Sequence, residues 1–327
     1  MKKAKPLIIG LAILLCLLIL VIVYQVFVPL HSEERIVRIK KGDNARIIAA
    51  KLSEAGIIRS KTMFIILTKI RKADRNLKPG SYIFGGNTYL WQTVSRLHKG
   101  QNESITITFP EGLSLYKTLK KIDASGLATY DELYSSATNP FLIKKLTGFE
   151  VSSLEGFLYP ETYRFPIEIS PDSILAIPAG EFFRRLQKEG IDPFAIPDFY
   201  AKLILASIVE KEAGDENEKE IIAGLFLNRL RHQMALQSCP TIDYILEPQG
   251  IKHSVLTYAD TQINSPYNTY LFPGLPPTPI CNPSYTTIKA VLNAKPNSYL
   301  YFFSDRQGKN VFSRTYEEHL TKQRRML

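Results

Sequence analysis

The chain has 327 residues, 45% apolar, 11% aromatic and 22% charged, enough apolar sequence for a sizeable core and roughly two domains. That composition excludes a disordered, collagen-like or coiled-coil chain, and three cysteines exclude a disulfide-built miniprotein. Lys and Arg outnumber Asp and Glu by 41 to 31, a formal charge of +10, which by itself suits nucleic acid, an anionic membrane surface or an acidic polymer.

The first thirty residues decide among these. Leu7 to Val28 carries no charge, and only Gly10, Tyr24 and Gln25 break its apolar run. As a helix it reaches about 33 Å, enough for a hydrocarbon core of about 30 Å. Lys2, Lys3 and Lys5 precede it and Glu33 and Glu34 follow, which places the N-terminus in the cytoplasm and the body outside. A cleaved signal peptide would have a shorter apolar core ending in small residues; this one ends in Val-Phe-Val-Pro. Cys16 follows Leu15, which is not the small residue that a lipoprotein site needs. The expectation is an uncleaved single-pass anchor within residues 1–30. Nucleic acid is then not expected as a partner.

Residues 35–40 (RIVRIK) alternate as a strand. Gly42-Asp43-Asn44 turns the chain and offers a helix cap. Ile48, Leu52 and Ala55 recur at helical spacing, and Gly56 ends that helix. Ser60 caps a second helix with the stripe Met63, Leu67 and Ile70. Lys78-Pro79-Gly80 is a turn before a return strand at 81–84. Strand, helix, helix, strand is the order of a LysM-type glycan-binding module, and a helix around 90–97 closes this unit, 33–100.

A strand at 104–109 ends at Pro110-Glu111-Gly112 and opens the second unit, 104–327. Residues 113–150 read as two short helices, and 171–200 as helix interrupted at Pro178, Pro193 and Pro197. The main helices are expected at 199–213 and 217–232. Proline-rich loops follow through 240–284, then a helix near 284–294 and a hairpin of 299–303 with 310–313. Thr315 and Glu318 form a capping box for the last helix. The fold class is therefore α+β: one transmembrane helix, a small LysM-like βααβ domain and a larger mixed α+β catalytic domain.

Chemistry concentrates in LILASIVEKEAG, residues 203–214. At 100° per residue Glu210 points between Leu203, Ala206, Ser207, Ala213 and Gly214, a mostly small face that leaves room beside its carboxylate. Ile204, Leu205, Ile208 and Val209 cover other sides, so this carboxyl is expected to be desolvated, as a general acid requires. A buried structural Glu holding Arg229 or backbone amides is the plain alternative. Glu212 lies on nearly the opposite side, so the two glutamates do not form an acid–base pair; Glu212 is expected to be structural. Further on, Asn228, Gln237, Ser238 and Thr241 are neutral hydrogen-bonders after an apolar helix. The loop 264–285 is dense in Ser, Asn, Thr, Tyr and Pro, whose rings and amides suit sugars; a rigid irregular connection would use the same prolines. No metal spacing and no phosphate loop occur.

Together LASIVEKE, IAGLFLNRL, MALQSCPT, SPYNTY, GLPPTPICNP and the closing YLYFFSD and VFSRTYEEH, with PEG at 110–112 and LEGFLYPETY at 154–163, resemble the ordered blocks of the endolytic murein transglycosylase (YceG-like) family. The resemblance runs from about residue 35 to the end. It implies a lyase without cofactor or metal, held in the bacterial cytoplasmic membrane and acting on peptidoglycan glycan strands, with wall-synthesis enzymes as possible partners. Its catalytic glutamate is the first Glu of VEKE, here Glu210. This would protonate the oxygen between MurNAc and GlcNAc while the MurNAc 6-hydroxyl closes into a 1,6-anhydro end, terminating nascent strands. One carboxyl can serve as acid and then base. Substrate binding is assigned to Glu155, Asn228, Gln237, Ser238, Thr241, Ser265, Tyr267, Asn268 and Tyr270. Cys239 stands where the family often has Asp, and Lys219 where Arg is usual, which weakens the assignment at Gln237, Ser238 and Thr241. Two other readings stay open. A hydrolytic muramidase would need a second acid, with Glu155 or Asp243 the nearest choices. A wall-binding scaffold would use the LysM-like unit alone. Cys239 and Cys281 are expected as buried free thiols, a bridge between them being the lesser alternative.

Overall fold

A computed structural model describes residues 4–40, 42–100, 103–251, 253 and 256–326. The N-terminal apolar run forms one 24-residue helix, α1 (Ala4–Phe27). Within α1 the described side chains are those of Gly10 and of residues 13–27. Among the described residues no helix is long and apolar enough to cross a membrane. The expected span Leu7–Val28 rests in part on residues 7–9, 11 and 12, whose side chains lie outside that set, as do Lys2, Lys3 and the side chain of Lys5.

The chain divides into two compact units, one of Met1–Ile105 with Phe165–Glu168 and one of the remainder. In the first, β1 (Leu30–Ile39) pairs antiparallel with β2 (Gly80–Thr88), Val37 opposite Tyr82. β1 starts five residues before the alternating pattern because its first half is held by backbone pairing to 86–88 and buries little. Between the strands lie α2 (Ala45–Glu54) and α3 (Lys61–Ile70), and α4 (Leu90–Lys99) follows. Asn44 caps α2 by accepting from the amides of Arg46 and Ile47, and Gly56 follows it with φ +72°. Ile48, Leu52, Phe64, Tyr82, Phe84, Val94 and Leu97 fill the core. The expected stripe of α3 needs correction: Phe64 and Thr68 are its fully buried residues, and Ile70 is 72% exposed. Thr68 is tolerated there because its hydroxyl donates to the Ile65 carbonyl at 2.8 Å. The end of α1 is fastened to this unit. Val26 enters the core, and Arg59 donates to the carbonyls of Val28 (2.7 Å) and Pro29 (2.6 Å) while lying 5.0 Å from the Tyr24 ring centre.

The boundary between units falls within β3 (Ser104–Thr108) and β4 (Thr162–Pro166), which pair with each other. In the second unit α5 (Leu115–Asp123), α6 (Tyr130–Ala137) and α7 (Pro140–Thr147) stand where two helices were expected. The third exists because Asn139 caps α7 and Pro140 occupies its first turn, where no amide is missed. α8 (Pro171–Lys188) continues through Pro178. Its buried Ile174, Leu175, Ala179, Phe182 and Leu186 outweigh one lost ladder bond. α9 (Phe199–Glu212) and α10 (Glu216–Arg231) follow, then α11 (Cys239–Leu246), a helix in a stretch expected to be loop, with Pro240 in its first turn. α12 (Tyr285–Asn293), the hairpin of β5 (Tyr301–Ser304) and β6 (Asn310–Ser313), and α13 (Tyr316–Met326) complete the chain. The expected capping box of α13 is only half formed: Thr315 accepts from the Glu318 amide, but the Glu318 carboxylate turns to the Arg314 amide.

α9 is buried along most of its length, enclosed by Phe157, Phe182, Phe226, Leu236, Ile280 and Ile288. Two glycines permit this packing. Gly156 has φ +86°, and a Cβ there would sit 2.6 Å from Pro279 Cγ; a Cβ on Gly224 would sit 2.5 Å from the Lys295 carbonyl.

Candidate active site

α9 presents Ser207 and Glu210 one turn apart on one face, and the segment 280–287 takes hold of both. The Ile280 amide donates to Ser207 Oγ at 2.9 Å, and Cys281 Sγ to the Ser207 carbonyl at 3.2 Å. One turn on, Glu210 Oε2 accepts from the Ser284 amide (3.0 Å), the Ser284 hydroxyl (2.8 Å) and the Thr287 hydroxyl. Ser284 is also the cap of α12, so the positive end of that helix faces the carboxylate. Lys219, on α10, puts Nζ 3.9 Å from Oε2, with side-chain exposures of 6% for Lys219 and 7% for Glu210. Lys219 is held by Glu216, Thr286 (3.0 Å) and Ser284 (3.3 Å). Among the described residues nothing hydrogen-bonds Glu210 Oε1. The carboxyl therefore has one anchored oxygen and one available oxygen.

The turn Pro110-Glu111-Gly112 closes over this group. The Gly112 amide donates to the Asn282 carbonyl at 3.0 Å, and Lys211 Nζ to the Gly112 carbonyl at 3.3 Å. A Cβ on Gly112 would lie 3.6 Å from Glu210 Cγ. Glu111 is thereby a second carboxylate of the site: burial, and then the charge of Glu210, raise it above the usual carboxylate range. Beside Gly112 and Lys211 opens a cavity of about 500 Å³, lined also by Ser114, Lys117, Asp243, Tyr244 and Glu247.

The expected binding residues differ in how far the fold already engages them. Glu155 is 1% exposed, accepts from the Leu115 amide at 2.9 Å and from the Tyr244 hydroxyl at 3.1 Å, and is pushed up to about 8 by burial, the Leu115 amide opposing. It is the buried acid that steadies the start of α5, and its oxygens are already engaged by Leu115 and Tyr244. Asn228 donates to the Asn297 and Tyr299 carbonyls, and Asn268 to those of Thr261 and Ile263; both brace backbone. Ser238 donates to Glu212 at 2.6 Å, and Thr241 bonds the Ser238 carbonyl and Thr269; both are buried. Ser265 accepts from the Tyr267 amide at 3.3 Å, and Tyr267 pairs with Thr278 and lies against the Tyr244 ring. Gln237, exposed at φ +50°, and Tyr270, paired with Cys239 Sγ at 3.0 Å, remain partly open to a ligand. Glu212 is turned to Ser238 and pushed up to about 7 by burial.

Cys239 and Cys281 are both free; Cys281 is buried as expected, but Cys239 is exposed. Among the described residues no group of His, Cys, Asp and Glu could hold a metal. Sequence reasoning missed Ser284, Thr287, Lys219 and Glu111 as members of one site. The helix start near 284 and the turn at 110–112 were visible only as local features, and nothing local named their partners.

The chain carries the profile of the YceG-like family over residues 37–325, and it belongs to that family. It is 28% identical over 304 residues to the endolytic murein transglycosylase of Bacillus subtilis strain 168, covering 86% of this chain and 82% of that one. It is also 28% identical over 318 residues to the endolytic murein transglycosylase of Streptococcus pneumoniae D39, covering 86% of this chain but 56% of the longer relative. A YceG-like protein of Listeria monocytogenes, solved at 2.6 Å, superposes with a TM-score of 0.60 at 28% identity, over 89% of this chain and 99% of that one.

Proposed function

We propose that this chain is an endolytic murein transglycosylase, a lyase that cuts peptidoglycan glycan strands internally, with Glu210 as acid and then base. The observation that carries this reading is the asymmetry of the Glu210 carboxyl: Oε2 is saturated with donors while Oε1 has none among the described residues. A proton on Oε1 is handed to the glycosidic oxygen between MurNAc and GlcNAc. The Ser284 and Thr287 donors, with Lys219 at 3.9 Å, then stabilise the carboxylate that is left. That carboxylate takes the proton of the MurNAc 6-hydroxyl as it closes on the anomeric carbon, so the acid is restored and a 1,6-anhydro end is formed. α1 is the single-pass anchor, its N-terminus in the cytoplasm and both units outside. The βααβ unit holds glycan, and cutting of nascent strands near the membrane, beside the wall-synthesis enzymes, terminates their elongation.

Hydrolysis is the second reading, favoured by Glu111. Its carboxyl is raised by burial and then by the charge of Glu210, and hydrolysis requires a second acid of this kind. Mass spectrometry of muropeptides released from purified wall separates the two: 1,6-anhydro-MurNAc ends support transglycosylation, reducing ends hydrolysis. Glu210→Gln is expected to fold normally and to lose about 10²- to 10⁴-fold in either product, the usual effect of removing a general acid. Near-normal release by that variant would move the acid elsewhere.

A further inference from the structure

The cavity beside Glu210 carries charges of both signs: Lys117, Lys211, Asp243 and Glu247. It begins at Gly112 and Lys211, the two residues that flank the catalytic carboxyl, and extends to Ser114, Lys117, Asp243, Tyr244 and Glu247. At about 500 Å³ it lies within the range of ligand-binding cavities. Its charges fall into two sets. Glu247 is engaged, ion-paired with Lys117 and accepting from Ser114. Lys211 and Asp243 are not: among the described residues the ammonium of Lys211 donates only to the Gly112 carbonyl, and Asp243 has no hydrogen-bond or ion-pair partner. Asp243 is nevertheless partly desolvated, its carboxyl raised by burial against the opposing charges of Lys211 and Lys117. An open cation and an open anion on one cavity suit a ligand that carries both signs.

The sugars of murein are uncharged, and its charges sit on the short peptides attached through the lactyl ether of MurNAc. That ether is on the same ring whose anomeric carbon Glu210 releases. A peptide on that ring therefore lies near the acid when the bond is cut, and the cavity opens beside Gly112 and Lys211 next to that acid. We infer that the cavity bounded by Lys211, Lys117, Asp243 and Tyr244 binds the stem peptide of the MurNAc being cut. Lys211 receives a peptide carboxylate and Asp243 an ammonium group, so the enzyme selects strands that still carry their peptides. The inference rests on the transglycosylase reading for its substrate, but its binding step is measurable without turnover.

Two measurements on the full chain in detergent test it. Glycan strands bearing stem peptides are compared with the same strands stripped by an amidase, and a synthetic N-acetylated stem peptide containing a free diamino acid is titrated by calorimetry. Wild type is expected to bind the peptide and to cut peptide-bearing strands at least tenfold more efficiently, through KM. Asp243→Lys, at an exposed position, is expected to keep its melting temperature, weaken peptide binding at least tenfold and bring the ratio of the two rates close to one. Equal cutting of both strands with no peptide binding rejects the subsite and leaves the reaction standing. Peptide binding without cleavage of either strand keeps the subsite and rejects the reaction. An Asp243→Lys enzyme with unchanged binding and ratio also overturns the assignment.

Discussion

At the scale of single residues, the buried carboxyls carry a pH signature. Glu155 is raised from 4.5 to about 8 by burial, whereas in the unfolded chain it titrates at its ordinary value. Below about pH 4.5 both states hold the proton, and above about pH 8 neither does. Between these limits only the native state holds it, so each step up in pH favours unfolding. Glu212, raised to about 7, adds in the same direction over a narrower window. The melting temperature is therefore expected to fall from pH 5 to pH 8, and Glu155→Gln, which keeps an acceptor for Leu115 or Tyr244, is expected to flatten most of that slope. A thermal unfolding series of the two proteins checks this; an unchanged slope in the variant would place the titrating group elsewhere. The position of Glu210 on α9 was legible because helix periodicity puts small side chains around it. Its donors were not, because Ser284 and Thr287 lie more than seventy positions away and come together only through the packing of 280–287 on Ser207.

At the scale of elements, the site depends on how closely the 154–158 turn and the 279–287 segment approach. Gly156 is the tightest point, with φ +86° and Pro279 where a Cβ would lie. Asn282 fastens the same segment by donating to the Leu113 carbonyl and accepting from the Leu158 amide at 2.9 Å each. Gly156→Ala would add the left-handed backbone penalty of about 1–2 kcal/mol and force Pro279 to shift. It is expected to lower both stability and turnover, since Ser284 moves with Pro279. Denaturant melts and the muropeptide assay on the same sample check this, and full activity with full stability would mean that the segment adapts. Elements with strong local signals were readable from the sequence: the caps at Asn44 and Ser60, the helices 199–212 and 216–231, and the closing hairpin. Those set by tertiary packing were not. α11 carries in its first turn a proline that looks like loop chemistry, and the buried face of α3 is one residue away from its most hydrophobic stripe.

At the scale of the whole molecule, the two units differ in what the sequence could disclose. The order of strand, helix, helix and strand in the first is local and was readable, whereas the return of Phe165–Glu168 to that unit is a long-range fact with no local signal. The anchor reading makes a firm demand on the mature protein. With no small-residue cleavage site after its apolar run, the chain is expected to keep its N-terminus and to fractionate with membranes, resisting salt and alkaline extraction. N-terminal sequencing of the membrane fraction tests it, and a start beyond residue 20 would reject the single-pass assignment.

The Arg59 clasp on the end of α1 bears on where such an enzyme can act. With the guanidinium holding the Val28 and Pro29 carbonyls against Tyr24, the passage from α1 to the βααβ unit is a joint and not a leash. A leash of flexible residues spreads whatever it carries through a volume that grows with its length, diluting it accordingly. If α1 is the anchor proposed above, a joint would confine this unit to a thin layer at one height above the bilayer, with a high effective concentration for strands emerging there and one close to zero for strands deeper in the wall.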